Sequence, residues 1–205
     1  MGCINWQRKA LKAADFLVST VVVLFLVVAG AYSAYALWDN SQVYAAADNV
    51  QAELLQFKPK AGADNGASFE ELLGINPDVC AWVTLDNTAI DYPVVQGEDN
   101  NYYLKHSFEG ESVNAGCIFM DCEASADWSD RNTFVFGHNM RDESMFGSFK
   151  NLLKGTVSCK EDPYFYIYTE DKVYIYEIFA YYETRSTSDR FATFTSDASY
   201  DDYVQ

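Results

Sequence analysis

A run of 22 uncharged residues, from Leu17 to Trp38, constrains this chain more than any other feature. As an α-helix it would be about 33 Å long, which matches the hydrocarbon core of a bilayer. Arg8, Lys9 and Lys12 precede the run, and acidic residues dominate after it. The positive-inside rule therefore predicts a single-pass membrane anchor with a cytoplasmic N-terminus and an exported remainder.

A cleaved signal peptide is the alternative, because Ala34-Tyr35-Ala36 has the small-x-small pattern of a cleavage site. The apolar run is longer than a usual signal-peptide core, which favours a retained anchor. We predict three parts: a cytoplasmic tip and transmembrane anchor over 1–38, a helical stalk and linker over 39–67, and a domain over 68–205.

The composition excludes some classes of function. The chain has 205 residues and a net charge of −16, whereas a surface that binds a nucleic-acid backbone must be basic. We therefore predict no nucleic-acid partner. The five cysteines form no C-x-x-C pair and no Cys/His spacing typical of zinc. Cys80 and Cys117 lie in apolar runs, where cysteine usually behaves as a small hydrophobe, and disulfides stay open.

The exported part reads as a stalk followed by many short strands. Ser41–Phe57 has helical composition with Ser41 as a possible cap, and 58–66 reads as a linker. Strands are predicted at 81–85, 89–95, 116–121, 132–136, 164–168 and 173–182, and helical segments at 68–73, 100–105, 145–153 and 197–205. This pattern indicates a mixed or antiparallel barrel or sandwich, and it leaves the strand order open.

One histidine stands at the end of a predicted strand. The segment Asn132–Met140 is β-branched and aromatic until Gly137, and His138 follows at once. A side chain that exchanges protons near neutral pH is thereby held by a rigid strand and exposed by a loop, which is a common place for chemistry. The other histidine, His106, follows a short helical segment and is interpreted as a structural or exposed residue.

Several motifs in a fixed order resemble those of class B sortases. They are Ala81-Trp82-Val83, Asp91-Tyr92-Pro93-Val94-Val95-Gln96, Asn100-x-x-Tyr103-Leu104, Gly116-Cys117-Ile118-Phe119-Met120-Asp121, and Gly137-His138-Asn139-Met140 followed by Met145-Phe146-Gly147. The resemblance runs from about Ser68 to the C-terminus. It implies a mainly β fold with helices: a sortase-type eight-stranded β-barrel, incomplete here because its last two strands are missing, plus the N-terminal transmembrane helix.

The same resemblance implies an activity and its partners. Class B sortases are membrane-anchored cysteine transpeptidases of Gram-positive bacteria. They cleave a C-terminal sorting signal of secreted proteins and join the new end, through a thioester, to an amine of peptidoglycan or of its lipid-linked precursor. The resemblance makes His138 the catalytic histidine and places Asn100, Leu104 and Phe136 in the substrate groove. Two alternatives stay open: a capping role for Asn100 at the start of its helix, and a core position for Leu104 and Phe136.

The family nucleophile and arginine do not appear in the sequence. The nucleophile is a cysteine in a Thr-Leu-x-Thr-Cys strand, expected after the helix that begins near Asp197, whereas the sequence ends at Gln205. Thr156-Val157-Ser158-Cys159 lacks that spacing, so Cys159 is not assigned as the nucleophile. Arg185 and Arg190 precede the expected strand and are not assigned either. We therefore predict a truncated sortase without transpeptidase activity.

The sequence leaves one alternative function and excludes another. A non-catalytic, membrane-tethered β-barrel that binds a peptide or wall fragment is the alternative to the enzyme. A metal-dependent hydrolase fails on ligand count, since the exported part offers two histidines without metal-binding spacing. The acidic residues Asp127, Asp130, Asp142 and Glu143 lack the spacing of a calcium loop and favour a solvated surface. We predict no metal site and no cofactor.

Overall fold

The structure is a computed structural model that describes residues 2–60, 65–155 and 164–183. It divides into two compact units, residues 1–43 and 44–205. The predicted helix at 197–205, Cys159, Arg185 and Arg190 lie outside the described residues. The three-part division made from the sequence stays a prediction.

The first unit consists of helix α1, which runs over Gly2–Leu54 and so continues into the second unit. Its segment Arg8–Gln42 is long and apolar enough to cross a membrane, and its side chains are almost all exposed. The helical prediction for 41–57 is confirmed, but the predicted cap is wrong. Ser41 lies inside α1, and its hydroxyl donates to the carbonyl of Trp38 at 2.7 Å.

The second unit is built on one six-stranded sheet. Its strands are β1 (Val79–Leu85), β2 (Asp91–Val95), β3 (Phe119–Met120), β4 (Val135–Phe136), β5 (Tyr164–Tyr168) and β6 (Val173–Glu177). The order across the sheet is β4-β3-β2-β1-β5-β6. Only the β2–β3 pair is parallel among the pairs of described strands. The strands β1 and β2 therefore lie at the centre of the sheet. Their continuous apolar runs predict this buried position.

Helix α2 (Gly66–Ile75) covers this sheet with its apolar side. Phe69 and Leu72 are buried on it and belong to the same core cluster as Trp82 and Phe119. Burial of each such side chain stabilises the fold by about 1.5–3 kcal/mol. The main core therefore lies between α2 and the central strands, and Leu54 at the end of α1 is part of it.

The mainly β fold with helices predicted from the sequence is confirmed, but four strands are shorter than predicted. The strand predicted at 116–121 is limited to 119–120, because Gly116 turns the chain with a φ of +58°. Those predicted at 89–95, 132–136 and 173–182 are limited to 91–95, 135–136 and 173–177. The helical prediction for 145–153 is divided between a 3₁₀ turn at Phe146–Ser148 and helix α3 at Phe149–Lys154.

Candidate active site

Gly137 connects the end of β4 to the loop that begins with His138. A Cβ atom at Gly137 would collide with Cδ1 of Ile118 and would lie 2.8 Å from Cδ2 of Phe146. A residue with a side chain at this position would therefore force Ile118 or Phe146 to shift. His138 then emerges half-buried at the edge of the sheet, as its position in the sequence predicts.

A main-chain carbonyl holds the imidazole of His138. Its Nε2 lies 2.9 Å from the carbonyl oxygen of Leu104, 34 residues earlier. Because a carbonyl oxygen only accepts, Nε2 must carry a proton. The neutral ring is therefore the Nε2–H tautomer, and its Nδ1 is the atom that can take up or release a proton.

Leu104 occupies the last position of a 3₁₀ turn, Tyr102–Leu104. Gly116 passes close to the turn: a Cβ there would lie 2.5 Å from the carbonyl oxygen of Tyr103 and 2.8 Å from that of Leu104. Cys117 also donates its amide to the Tyr103 carbonyl at 3.1 Å. The side chain of Leu104 is exposed, so its interpretation as a core residue is wrong.

Asn100 connects this turn to a second one. Its Nδ2 donates to Oδ1 of Asp121 at 2.9 Å, and its Oδ1 accepts the amide of Cys122 at 2.9 Å. The capping alternative is not observed, because the Asp99 carboxylate accepts the amides of Asn101 and Tyr102 instead. These two hydrogen bonds lower the pKa of Asp99. Asn100 thus fixes the relative position of the turn that carries Leu104 and the turn that begins at Asp121.

Phe136 lies one residue before Gly137 and is half-buried. Its ring centroid is 5.2 Å from that of Phe119 and 6.4 Å from that of Phe134. It packs against the main core cluster, which supports the packing interpretation of this residue. A groove role for Asn100, Leu104 or Phe136 stays a prediction.

The loop after His138 folds back onto it. The amide of Phe146 donates to the His138 carbonyl at 3.1 Å, and Asn139 and Met145 face each other as an isolated bridge. The Met145 amide in turn donates to the hydroxyl of Tyr92 at 2.9 Å. Sequence reasoning did not assign Tyr92 a role. Tyr92 lies in one of the sequence motifs, but no local pattern indicates its contact with Met145, 53 residues later.

Lys150 on α3 holds the outer part of the same loop. Its Nζ donates to the Met140 carbonyl at 2.6 Å. A Cβ at Gly147 would collide with that carbonyl oxygen. The loop from 138 to 147 is therefore tied at both its base and its tip.

The described cysteines near the core are poor nucleophiles. Burial raises the pKa of the Cys80 thiol to about 12 and also raises that of Cys117. Burial and the neighbouring Asp121 and Glu123 raise the pKa of Cys122. A reactive thiol needs a lowered pKa, so none of these three cysteines has the environment of a catalytic thiolate.

His106 makes contacts that fit a structural role. Its Nδ1 lies 2.7 Å from the Tyr102 carbonyl oxygen, and its ring stacks on Tyr102 with centroids 4.0 Å apart.

Three of the acidic residues considered for calcium also have local partners. Asp130 accepts the amide of Ser125, Asp127 that of Ser129 and Asp142 that of Ser144. Their carboxylates thus stabilise turns.

A sheet of this order, with a histidine after its β4 strand, is the architecture of a known family. A model of the sortase domain matches residues 83–202, more than half of the sequence, and the chain belongs to the sortase family. Within that family the similarity is to sortase B. Sortase B of Listeria monocytogenes is 37% identical over 136 residues, which cover 66% of this chain and 55% of that protein. The chain thus spans about half the length of this curated relative.

Solved structures agree with this assignment. A Bacillus anthracis protein described as similar to sortase B aligns with a TM-score of 0.69 at 34% identity, covering 78% of each chain. A Staphylococcus aureus sortase B–substrate complex aligns with a TM-score of 0.68 at 27% identity, covering 80% of this chain and 76% of that one. The resemblance to class B sortases and the sortase-type fold, both predicted from the sequence, are confirmed.

Proposed function

We propose that the protein acts as a cell-surface cysteine transpeptidase in which His138 is the catalytic histidine. One observation carries the proposal. In a chain of the sortase family, the imidazole after β4 is held through Nε2 by the Leu104 carbonyl, which leaves Nδ1 for proton transfer. His106, in contrast, uses Nδ1 itself to contact a carbonyl.

The chemistry gives this histidine a defined task. A thiolate attacks the scissile amide and forms a thioester, which an amine then opens. As the imidazolium, His138 stabilises the thiolate and protonates the departing amine. The Leu104 carbonyl supports both steps, because it keeps the ring in one orientation and favours a proton on Nε2 in either charge state.

The substrate and the acceptor are proposed from membership of the sortase family. We propose that the substrate is a secreted protein with a C-terminal sorting signal, and that the acceptor is an amine of peptidoglycan or of its lipid-linked precursor. The complex of the S. aureus relative with its substrate supports a peptide groove in this fold. Asn100, Leu104 and Phe136 are proposed to line that groove.

The apolar helix suggests where the reaction occurs. We propose that Arg8–Gln42 anchors the protein in the membrane, with the N-terminus in the cytoplasm and the domain outside. The basic residues Arg8, Lys9 and Lys12 at its N-terminal end, before the uncharged run, and the acidic residues after the run support this orientation.

The test uses the protein translated from its complete gene. A panel of sorting-signal peptides is cleaved in the presence of triglycine as a minimal amine acceptor, and thioester formation is followed by mass spectrometry. His138→Ala should lower the rate by about 10²–10⁴, the range for loss of one acid–base group.

His106→Asn is the matched control, because it keeps an N–H donor close to the Tyr102 carbonyl. This variant should retain the parent rate within about twofold. A His138→Ala protein that still transfers peptide at the parent rate would remove His138 from the mechanism.

A further inference from the structure

The hydroxyl of Tyr92 supports a main-chain group far away in sequence. Tyr92 lies on β2 with only 5% of its surface exposed. Its oxygen accepts the amide of Met145 at 2.9 Å. A buried amide needs such a partner, because an unpaired one loses its hydrogen bond to water without compensation.

Met145 adopts a backbone conformation that it would not choose by itself. Its φ is +50° and its ψ is −129°, and its side chain is buried. A residue with a side chain reaches this region only when its surroundings impose it. The contact with Tyr92 is one of the interactions that impose it.

This conformation is transmitted directly to the catalytic loop. The residue after Met145 donates its amide to the His138 carbonyl at 3.1 Å, and Asn139 pairs with Met145 across the loop. The main chain of His138 is therefore held from one side by Gly137 and from the other by the segment that Tyr92 supports. A shift of Met145 would move the imidazole relative to the Leu104 carbonyl.

We propose that Tyr92 is a positioning residue for His138, acting through the Met145 amide and the Phe146–His138 hydrogen bond. The inference rests on the proposed function for the catalytic role of His138, although the structural coupling does not depend on it. Tyr92→Phe tests the coupling, because it removes the hydroxyl and keeps the ring in the core.

The first measurement is NMR on the full 205-residue chain in detergent micelles. In Tyr92→Phe, exchange of the Met145 and Phe146 amides should accelerate about tenfold or more, which corresponds to about 1.4 kcal/mol. The Nε2–H signal of His138 should broaden or disappear. Amides of β1 should keep their protection.

Tyr174→Phe is the matched control. Tyr174 also uses its hydroxyl for a main-chain hydrogen bond, here as the donor to the carbonyl of Asp127, but this contact lies outside the loop that carries His138. This variant should leave all the His138 and Met145 signals unchanged. Unchanged signals in Tyr92→Phe would overturn the proposal. An equal acceleration of the β1 amides would also overturn it, since Tyr92 would then act only on global stability.

The second measurement is turnover by the protein translated from its complete gene. Tyr92→Phe should lower kcat by about tenfold or more and change KM little, because an aligned imidazole matters in the transition state. If His138→Ala is inactive and Tyr92→Phe equals the parent, the positioning role fails and the proposed function stands. If His138→Ala is fully active, the proposed function fails, and the NMR result alone decides the coupling.

Discussion

The main chain that carries the imidazole of His138 depends on very local space. Gly137 is confined between the side chains of Ile118 and Phe146, and this confinement, rather than an unusual φ, is what favours glycine. The sequence predicted a strand end from the same glycine. It could not predict the two groups that press on it, because they come from other parts of the chain.

Gly137→Ala should therefore destabilise the domain. The added methyl group forces Ile118 or Phe146 out of place, which costs about 1–3 kcal/mol for overpacking in a dense region. The free energy of unfolding measured with urea for the full chain gives the value. We also expect weaker protection of the His138 loop in hydrogen exchange.

Gly74→Ala provides the control for that experiment. Gly74 lies in α2, and a Cβ there meets nothing within 4 Å. Alanine is the better helix former by about 1 kcal/mol, so this variant should be neutral or more stable. A Gly137→Ala protein as stable as Gly74→Ala would contradict the steric argument.

At the scale of elements, Asp91 joins the end of α1 and the following segment to the sheet. Its carboxylate accepts from Trp82 Nε1 at 2.7 Å and Thr84 Oγ1 at 3.0 Å, and it pairs with Lys58 at 2.7 Å. Its carbonyl also accepts from Gln51 on α1 at 3.3 Å. Trp82 is fully buried, whereas Lys58 and Asp91 are partly exposed. The hydrogen bond of the Asp91 carboxylate to Trp82 therefore stabilises the fold more than its ion pair with Lys58.

The two roles of Asp91 predict different costs. Lys58→Met removes a partly exposed ion pair, which is worth about 0–1 kcal/mol and is screened by salt. Asp91→Ala also leaves the Trp82 indole N–H without an acceptor, which costs about 1–3 kcal/mol more. Urea unfolding at low and high salt measures both variants. Equal losses in the two variants would show that the ion pair is the main contribution.

The elements themselves were largely predictable, and their contacts were not. The hairpin of β5 and β6 was indicated by alternating aromatic residues around a turn, and β5 was predicted with its observed bounds. The strands β3 and β4 are shorter than predicted, because the residues that flank them form loops. These loops approach the 3₁₀ turn at Tyr102–Leu104. The hydrogen bonds of His138 to Leu104 and of Met145 to Tyr92 each join a side chain to a main-chain group far away in sequence, and main-chain groups leave no pattern in a sequence.

For the whole molecule, buried thiols link stability to alkaline pH. In the unfolded chain cysteine ionises near pH 8.5, whereas burial raises the pKa of Cys80 to about 12 and also raises that of Cys117. Between these values the unfolded state binds fewer protons than the folded state. The contribution of these thiols to the free energy of unfolding is therefore fully present below about pH 8.5. It is lost as the pH rises towards 12.

Urea midpoints measured from pH 7 to pH 11 test this dependence. Replacement of both cysteines by alanine should make the decline shallower, although the variant starts from a lower stability at pH 7. A decline of unchanged slope would show that other groups cause it.

The hydrogen bond between the His138 imidazole and the Leu104 carbonyl has a consequence for how sequences of this fold can vary. The proton-carrying ring is anchored to the polypeptide backbone, while the isobutyl group of the same residue faces solvent. Substitutions at position 104 can therefore change the exposed surface without changing the anchor. One residue supplies both the anchor and a solvent-facing group, so natural variation can adjust the second and leave the first intact.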